Sequence, residues 1–397
     1  MKYSVVLPTL DGGDYLKQII QKYLKFKRDD IEFIVSDNLS NDGTFEYLSK
    51  LNDSRFKIFQ PNEKLTLHHH LDFAYSHATG EWQSHIGNDD ILLENNFEIK
   101  DFLIEKFNCE VFKFGYYRYH WPDELNSFKG HIDDFNFKMG VQVFDGKDFY
   151  RYLIGNKSIG GGGSWLVKKN IKEDVIAKAG YYAAEGVEFF AYRSSCFFAK
   201  QVCVIDAPIY IMGRAPISSG AQLFNKKSSR KEHTFSENFE WVKRLNYSPF
   251  PTRTVATVSL NGALNSNSKF KVNSKFNWLY WINAVIHDFR KLQSRNRTNR
   301  SLFSELLSGF MYGIKNRNAR GNISIFSWLF IYLRLPYLMI VKLLNKDKKL
   351  EVSIDYIEKV DQVFDYMEPK EVILNNLESI TELSKISNIK INKNIVK

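Results

Sequence analysis

Short apolar runs of strand length alternate with stretches in which apolar residues recur at helical spacing through the first ninety residues of this chain. Tyr3-Ser4-Val5-Val6-Leu7-Pro8 is β-branched and apolar on both faces, the pattern of a strand covered on two sides. Thr9 to Gly13 forms a polar loop. Asp14 stands where an N-cap is expected, ahead of a helix whose apolar face is Tyr15, Leu16, Ile19, Ile20, Tyr23 and Leu24. Ile31 to Ser36 predicts a second strand, Asp37 to Thr44 a second polar loop, and Phe45 to Leu51 the start of a second helix. Phe56 to Gln60 reads as a third strand, Leu71 to Ala78 as helix, and the run from Gly80 as a strand reaching Gly87. This β-α-β-α-β-α-β order predicts an α/β domain with a mostly parallel, Rossmann-like, doubly wound sheet whose ligand site follows the carboxyl ends of its strands. Val111 to Gly115 predicts one further strand, trailed by Tyr116, Tyr117, Tyr119, His120 and Trp121, which suit either stacking on a sugar face or packing at a sheet edge.

The polar segments at those carboxyl ends carry the chemistry. Gly87-Asn88-Asp89-Asp90 offers hard oxygen ligands, which suit Mg²⁺ or Mn²⁺ held jointly with substrate phosphates, although the same residue types also build turns. Asp11, Asp37 and the Asp89-Asp90 pair would share one edge of the sheet. Three acidic loops repel a bare phosphate but suit a nucleotide whose base and ribose meet carboxylates while a cation bridges to the diphosphate. The chain has no G-x-G-x-x-G and no Walker A pattern, which argues against dinucleotide and P-loop sites. The run Gly160 to Gly163 reads equally as close backbone approach to a ligand or as loop flexibility.

Charge divides the chain. Residues 1–215 hold 26 Lys and Arg against 30 Asp and Glu, whereas residues 216–397 hold 29 against 15, and the stretch 241–350 alone holds 19 against 3. The overall net charge of +10 therefore belongs to the C-terminal part. With 397 residues the chain is long enough for two domains. Three cysteines, Cys109, Cys196 and Cys203, have neither metal-binding spacing nor an even count, which points to a reducing compartment. The N-terminus enters its first strand at once, with no apolar signal core, so a cytoplasmic protein is expected.

Ser4-Val5-Val6-Leu7-Pro8-Thr9, Val35-Ser36-Asp37-Asn38-Leu39-Ser40-Asn41-Asp42-Gly43-Thr44 and Ala78-Thr79-Gly80-Glu81-Trp82 leading to Gly87-Asn88-Asp89-Asp90 together resemble a family 2 glycosyltransferase of the GT-A fold in order and spacing. The resemblance implies a nucleoside-diphosphate-sugar donor, a UDP-sugar first among them, and a divalent metal, Mn²⁺ or Mg²⁺. It implies that Pro8, Thr9 and Asp11 line the nucleotide pocket, that Asp37 binds the base, and that Asn88, Asp89 and Asp90 serve ribose and metal, with Asp90 and Asp89 as metal ligands. Asp11 stands where the family has Asn, and the first acidic position of its D-x-D element falls on Gly87 or Asn88. Gly155 to Lys169 is similar to the family's Gly-rich loop and following strand beside the acceptor. Inverting transfer needs a carboxylate to take the acceptor hydroxyl's proton. Ala184-Glu185-Gly186-Val187-Glu188 resembles the family's Glu-Asp pair at a helix start, which implies Glu185 as base with Glu188 as the alternative; solvated helix-start carboxylates are the plainer reading. The position of Arg214 resembles the family's Tyr-Arg-x-His segment, although the His of that segment is missing, which implies a part for Arg214 in binding the nucleotide sugar; the basic stretch that follows to His233 fits a loop closing on the diphosphate or an ordinary linker.

The expected organisation is a catalytic domain over 1–215, a basic loop or linker over 216–235, and a basic, mainly helical domain over 236–397. In the last, 276–292, 301–314 and 323–344 carry helical patterns, and a final helix is expected after Pro369. Arg334 and Pro336 interrupt the most apolar of these, so no membrane span is expected. Trp278, Trp281 and Trp328 among so many basic residues suit in-plane attachment at the inner face of an anionic membrane, and a cap on the catalytic domain or a homo-oligomer contact suits them as well. No nucleic-acid-binding motif accompanies the charge. The chain thus reads as an inverting glycosyltransferase acting on a glycan or lipid-linked acceptor in surface-polysaccharide assembly. The alternatives are a polyprenyl-phosphate sugar synthase of the same fold and an inactive GT-A scaffold that binds membranes or polyanions.

Overall fold

The computed structural model describes residues 1–122, 130–132, 141–150, 162–180, 182, 188–215 and 355–356. The segments expected as linker and helices between 216 and 397, apart from the two-residue strand at 355–356, lie outside the described residues.

The first half follows the predicted alternation closely. Strands β1 (Tyr3–Thr9), β2 (Ile31–Asp37), β3 (Phe56–Phe59) and β4 (Trp82–His85) enclose helices α1 (Gly13–Tyr23), α2 (Thr44–Leu48) and α3 (Leu67–Ser76). These strands are wholly parallel in the order β3-β2-β1-β4, with Pro8 opposite Ser36 and Val6 opposite His85. β1 and β2 are β-branched and buried along nearly their whole length because helices cover both faces.

The second half makes the sheet mixed. Helix α4 (Asn95–Lys106) precedes a long β5 (Val111–His120), followed by β6 (His131–Ile132), β7 (Val141–Asp145), β8 (Trp165–Lys168), α5 (Lys169–Ala179), α6 (Glu188–Phe198), β9 (Gln201–Arg214) and β10 (Asp355–Tyr356). β8 inserts antiparallel between β4 and β5, while β9 runs parallel to β5 from Val111 opposite Val202 to His120 opposite Arg214. The expected strand over Val111–Gly115 therefore continues through the aromatic run. Tyr119 and Trp121 are buried, so packing at the sheet claims them rather than solvent.

Glu32 locks the parallel half together. It is fully buried on β2 and accepts hydrogen bonds from the Ser4 hydroxyl (2.6 Å), the Thr79 amide (2.6 Å) and the Lys57 ammonium (2.5 Å). Burial alone would raise its carboxyl, but Lys57, Ser4 and Thr79 outweigh burial and hold it down to about 2. Gly80 is required here, because a Cβ would fall 2.7 Å from the Ser4 backbone. All three cysteines are buried free thiols.

Candidate active site

Two loops at the carboxyl edge are knitted into one platform. The Asp37 carboxylate accepts the Ser40 amide (3.0 Å), the Gln60 side-chain amide (3.0 Å) and the Ser40 hydroxyl, and that hydroxyl oxygen in turn accepts the Asp11 amide (2.8 Å). The Asp11 carboxylate accepts the Asn41 amide (3.0 Å), and Asp42 accepts the Gly13 amide (2.9 Å) at the start of α1. Asp42 thus takes the capping role expected of Asp14, which sits inside the first turn behind an N-cap at Gly12. Burial works against the Asp42 charge, but bonds from Thr44 and Gly13 overcome it and lower its pKa. Asp11 (φ 50°) and Leu39 (φ 59°) are both left-handed without being glycine, a costly backbone that the cross-bonding holds in place. Thr9 is buried at the end of β1, and its hydroxyl finds no partner among the described residues; Pro8 beside it is half-buried.

Ile86 donates its amide to the Val6 carbonyl (2.9 Å), so the chain leaves β4 alongside the end of β1 and turns through Gly87 to Asp90. Asp89 and Asp90 are both buried, and Asn88 beside them is half-buried. The Asp90 carboxylate accepts the Gly87 amide (2.7 Å) on one oxygen and the Gly213 amide (2.8 Å) on the other. One Asp89 oxygen accepts the Ala215 amide (3.0 Å), and the Asp89 carbonyl accepts the Trp121 indole N–H (2.9 Å). Tyr23 donates to the Asp90 carbonyl (3.3 Å) and accepts from the Leu92 amide (3.0 Å), and Ile91 and Ile211 exchange backbone bonds. The end of β9 therefore holds both carboxylates, and Arg214 lies between the two residues whose amides do so. Arg214 is exposed at the strand's last position.

The two carboxylates converge over Gly87, where an added Cβ would lie 3.0 Å from an Asp89 oxygen and 3.2 Å from an Asp90 oxygen. Burial, and then the adjacent Asp89 charge, push the Asp90 carboxyl up to about 7 despite the Tyr210 hydroxyl and the two amides. Burial raises Asp89 as well. Two neighbouring carboxylates that resist ionising for want of positive charge are a fitting seat for a divalent cation. No group of three or more His, Cys, Asp or Glu side chains able to hold a metal occurs among the described residues. A cation here would complete its shell with substrate oxygens and water, as hard cations shared with phosphates do.

The glycine run has a use other than the two weighed from sequence. Gly162 and Gly163 fold into a short 3₁₀ turn pressed on protein side chains, where a Cβ on Gly162 would overlap the His85 imidazole and one on Gly163 the Tyr210 ring. Gly160, Gly161 and Glu185 lie outside the described residues. Glu188 opens α6, and the described structure does not extend to its side chain. Tyr182, shortly before them, is anchored by its amide to Asp72 (2.9 Å) and by its hydroxyl to Ser195 (3.2 Å). Gln60, Tyr210 and Gly213 were not singled out as site residues from sequence, and Trp121 was noted only for sugar stacking or sheet-edge packing. Tyr210 and Gly213 had a local signal in lying just before Arg214.

Residues 4–171 match the model of the glycosyl transferase family 2. A curated relative, glycosyltransferase GlyG of Streptococcus pneumoniae, is 28% identical over 122 residues, which is 30% of this chain and 40% of that protein. The match thus spans less than half of the relative's length. Among solved structures, S. aureus TarS with UDP-GlcNAc aligns over 91% of this chain and 97% of its own at 14% identity and a TM-score of 0.46. The mannosyltransferase PcManGT of Pyrobaculum calidifontis with GDP-Man and Mn²⁺ aligns over 87% and 88% at 12% identity and a TM-score of 0.40. The matched segment takes in the parallel β3-β2-β1-β4 half and the acidic β4 exit, and over that segment, less than half of its length, the chain is similar to the glycosyl transferase family 2.

Proposed function

We propose that this protein is an inverting, metal-dependent glycosyltransferase that moves a sugar from a nucleoside-diphosphate-sugar, UDP-linked, to a glycan or lipid-linked acceptor in surface-polysaccharide assembly. The observation that carries the reading is the buried Asp89-Asp90 pair, held by backbone amides from β9 at the same edge as the cross-bonded Asp11 and Asp37 loops. Asp89 and Asp90 would hold Mn²⁺ or Mg²⁺, which when bound offsets the charge of the departing diphosphate. Asp37, Asp11, Pro8 and the Thr9 hydroxyl would receive the nucleoside, with Asn88 toward the ribose, and Arg214 would meet the diphosphate from the end of β9. Glu185, or Glu188 in its place, would accept the acceptor hydroxyl's proton as that oxygen bonds to the anomeric carbon and the bond from that carbon to the diphosphate oxygen breaks, inverting the centre.

The test is hydrolysis of UDP-, GDP-, CMP- and dTDP-sugars with Mn²⁺ or Mg²⁺ by the full chain, beside Asp89→Asn and Glu185→Gln. Metal-dependent release of one nucleotide, reduced about a hundredfold or more in Asp89→Asn, is expected. No turnover, together with no metal-dependent nucleotide binding by calorimetry, would overturn the reading in favour of a binding scaffold.

A further inference from the structure

His85, the last residue of β4, sits two positions before Gly87 in a hydrogen-bonded chain that links the strand to the glycine turn. Its Nδ1 lies 3.2 Å from the Tyr75 hydroxyl of α3 and 2.9 Å from the Tyr192 hydroxyl of α6, and Tyr192 donates to the Gly162 carbonyl at 2.9 Å. All of these side chains are buried. Tyr192 stacks on Trp165 of β8 at 4.9 Å and faces the His85 ring in parallel at 5.7 Å. Tyr192 has one proton, and the Gly162 carbonyl can only accept. Both contacts are satisfied when His85 carries a hydrogen on Nδ1 and donates it to the Tyr192 oxygen. The neighbouring Gly163 rests on the Tyr210 ring, whose hydroxyl is beside Asp90.

From this geometry we infer that Tyr192, oriented by His85, is a positioning residue that ties the Gly162-Gly163 turn down as a wall of the Asp89-Asp90 site and keeps water from the reacting centre. The inference rests on the glycosyltransferase reading. The tyrosine places a buried donor under the Gly162 carbonyl, at the start of a turn whose first two residues are glycines. Removing that donor leaves the Gly162 carbonyl without this bond and frees the turn to lift.

The experiment compares Tyr192→Phe with Tyr75→Phe, which removes the other hydroxyl at the same imidazole nitrogen without touching Gly162. Two readouts are taken on the full chain. Hydrogen exchange of the peptide spanning Gly162–Ser164 should quicken about tenfold in Tyr192→Phe, the scale of one lost hydrogen bond, and stay near wild type in Tyr75→Phe. With the nucleotide sugar hydrolysed fastest in the panel above, kcat for hydrolysis should rise about fivefold in Tyr192→Phe while KM stays within about twofold. A merely structural role would lower activity, so the rise separates the two. Unchanged exchange in a folded Tyr192→Phe, or hydrolysis that is unchanged or lower, overturns the inference. If the native chain turns over no nucleotide sugar, the functional reading fails and the positioning role with it, while exchange still decides whether the tether exists.

Discussion

Single atoms decide the behaviour of Lys100 and Gly213. Lys100 is fully buried on α4, with its ammonium 4.4 Å from the Phe97 ring and no hydrogen-bond partner among the described residues. Burial, then the nearby Arg28 charge, lower it to about 7 against the partial relief of Asp101. The neutral form is favoured in the fold, so its stability contribution is full above the free lysine value and falls as pH drops toward 7. Lys100→Met should therefore raise the melting temperature at neutral pH, with a gain of roughly 1–3 kcal/mol, and the gain should shrink toward pH 10. Gly213 acts in the opposite sense. Its amide caps Asp90, and any Cβ would overlap the Asp89 carbonyl oxygen. Gly213→Ala should cost about 2 kcal/mol or more and loosen both carboxylates, seen as a lower melting temperature and weaker Mn²⁺-dependent nucleotide binding. A Cβ at Gly87 would meet only the ends of the Asp89 and Asp90 side chains, at 3.0 and 3.2 Å, a far looser contact than at Gly213.

Burial on both faces made some elements legible in sequence and hid others. β1 and β2 emerged from the chain within one residue of their observed ends, because helices on both sides demand unbroken apolar runs. α4 was not predicted: its buried Lys100 and Asn96 interrupt the apolar stripe by which helices are recognised. β5 proved twice its predicted length, since pairing with β9 rather than hydrophobic pattern carries Tyr116 to His120. The acidic residues of the site were visible as types, but besides the local Gly87 amide, Asp89 and Asp90 are held by backbone amides more than 120 residues away, and amides leave no sequence signal. α3 also makes a prediction of its own. Burial lowers His68 and His70 to about 4, and His70 hydrogen-bonds Ser36 (2.8 Å) beside Asp37. Both must stay neutral in the fold. Their stabilising contribution is thus full above the free histidine value and is lost as pH falls from about 6.5 to 4. The melting temperature should decline across that window, and less steeply in His70→Gln.

The whole molecule is electrostatically divided, with slightly acidic residues 1–215 and residues 216–397 holding 29 basic against 15 acidic side chains. A substrate diphosphate needs only local positive charge, so the excess over 241–350 answers to something else. No described helix is long and apolar enough to cross a membrane. We propose that this segment holds the enzyme against an anionic lipid surface, bringing the Asp89-Asp90 site to lipid-linked acceptors. Attraction of this kind falls with salt, because the screening length shrinks from about 10 Å at 0.1 M to about 3 Å at 1 M. The full chain should co-sediment with phosphatidylglycerol vesicles at low salt, separate from them near 1 M salt, and ignore phosphatidylcholine vesicles. Replacing Arg295, Arg297 and Arg300 together by Glu removes three attractions worth about 1 kcal/mol each, so affinity should drop about a hundredfold or more. Hydrolysis of free nucleotide sugar should be unaffected, because none of these three arginines is among the residues assigned to the site. Equal binding to neutral and anionic vesicles, or no binding to either, would assign the basic segment to packing against the chain or a second copy. In that case its charge should show instead in the salt dependence of the oligomeric state.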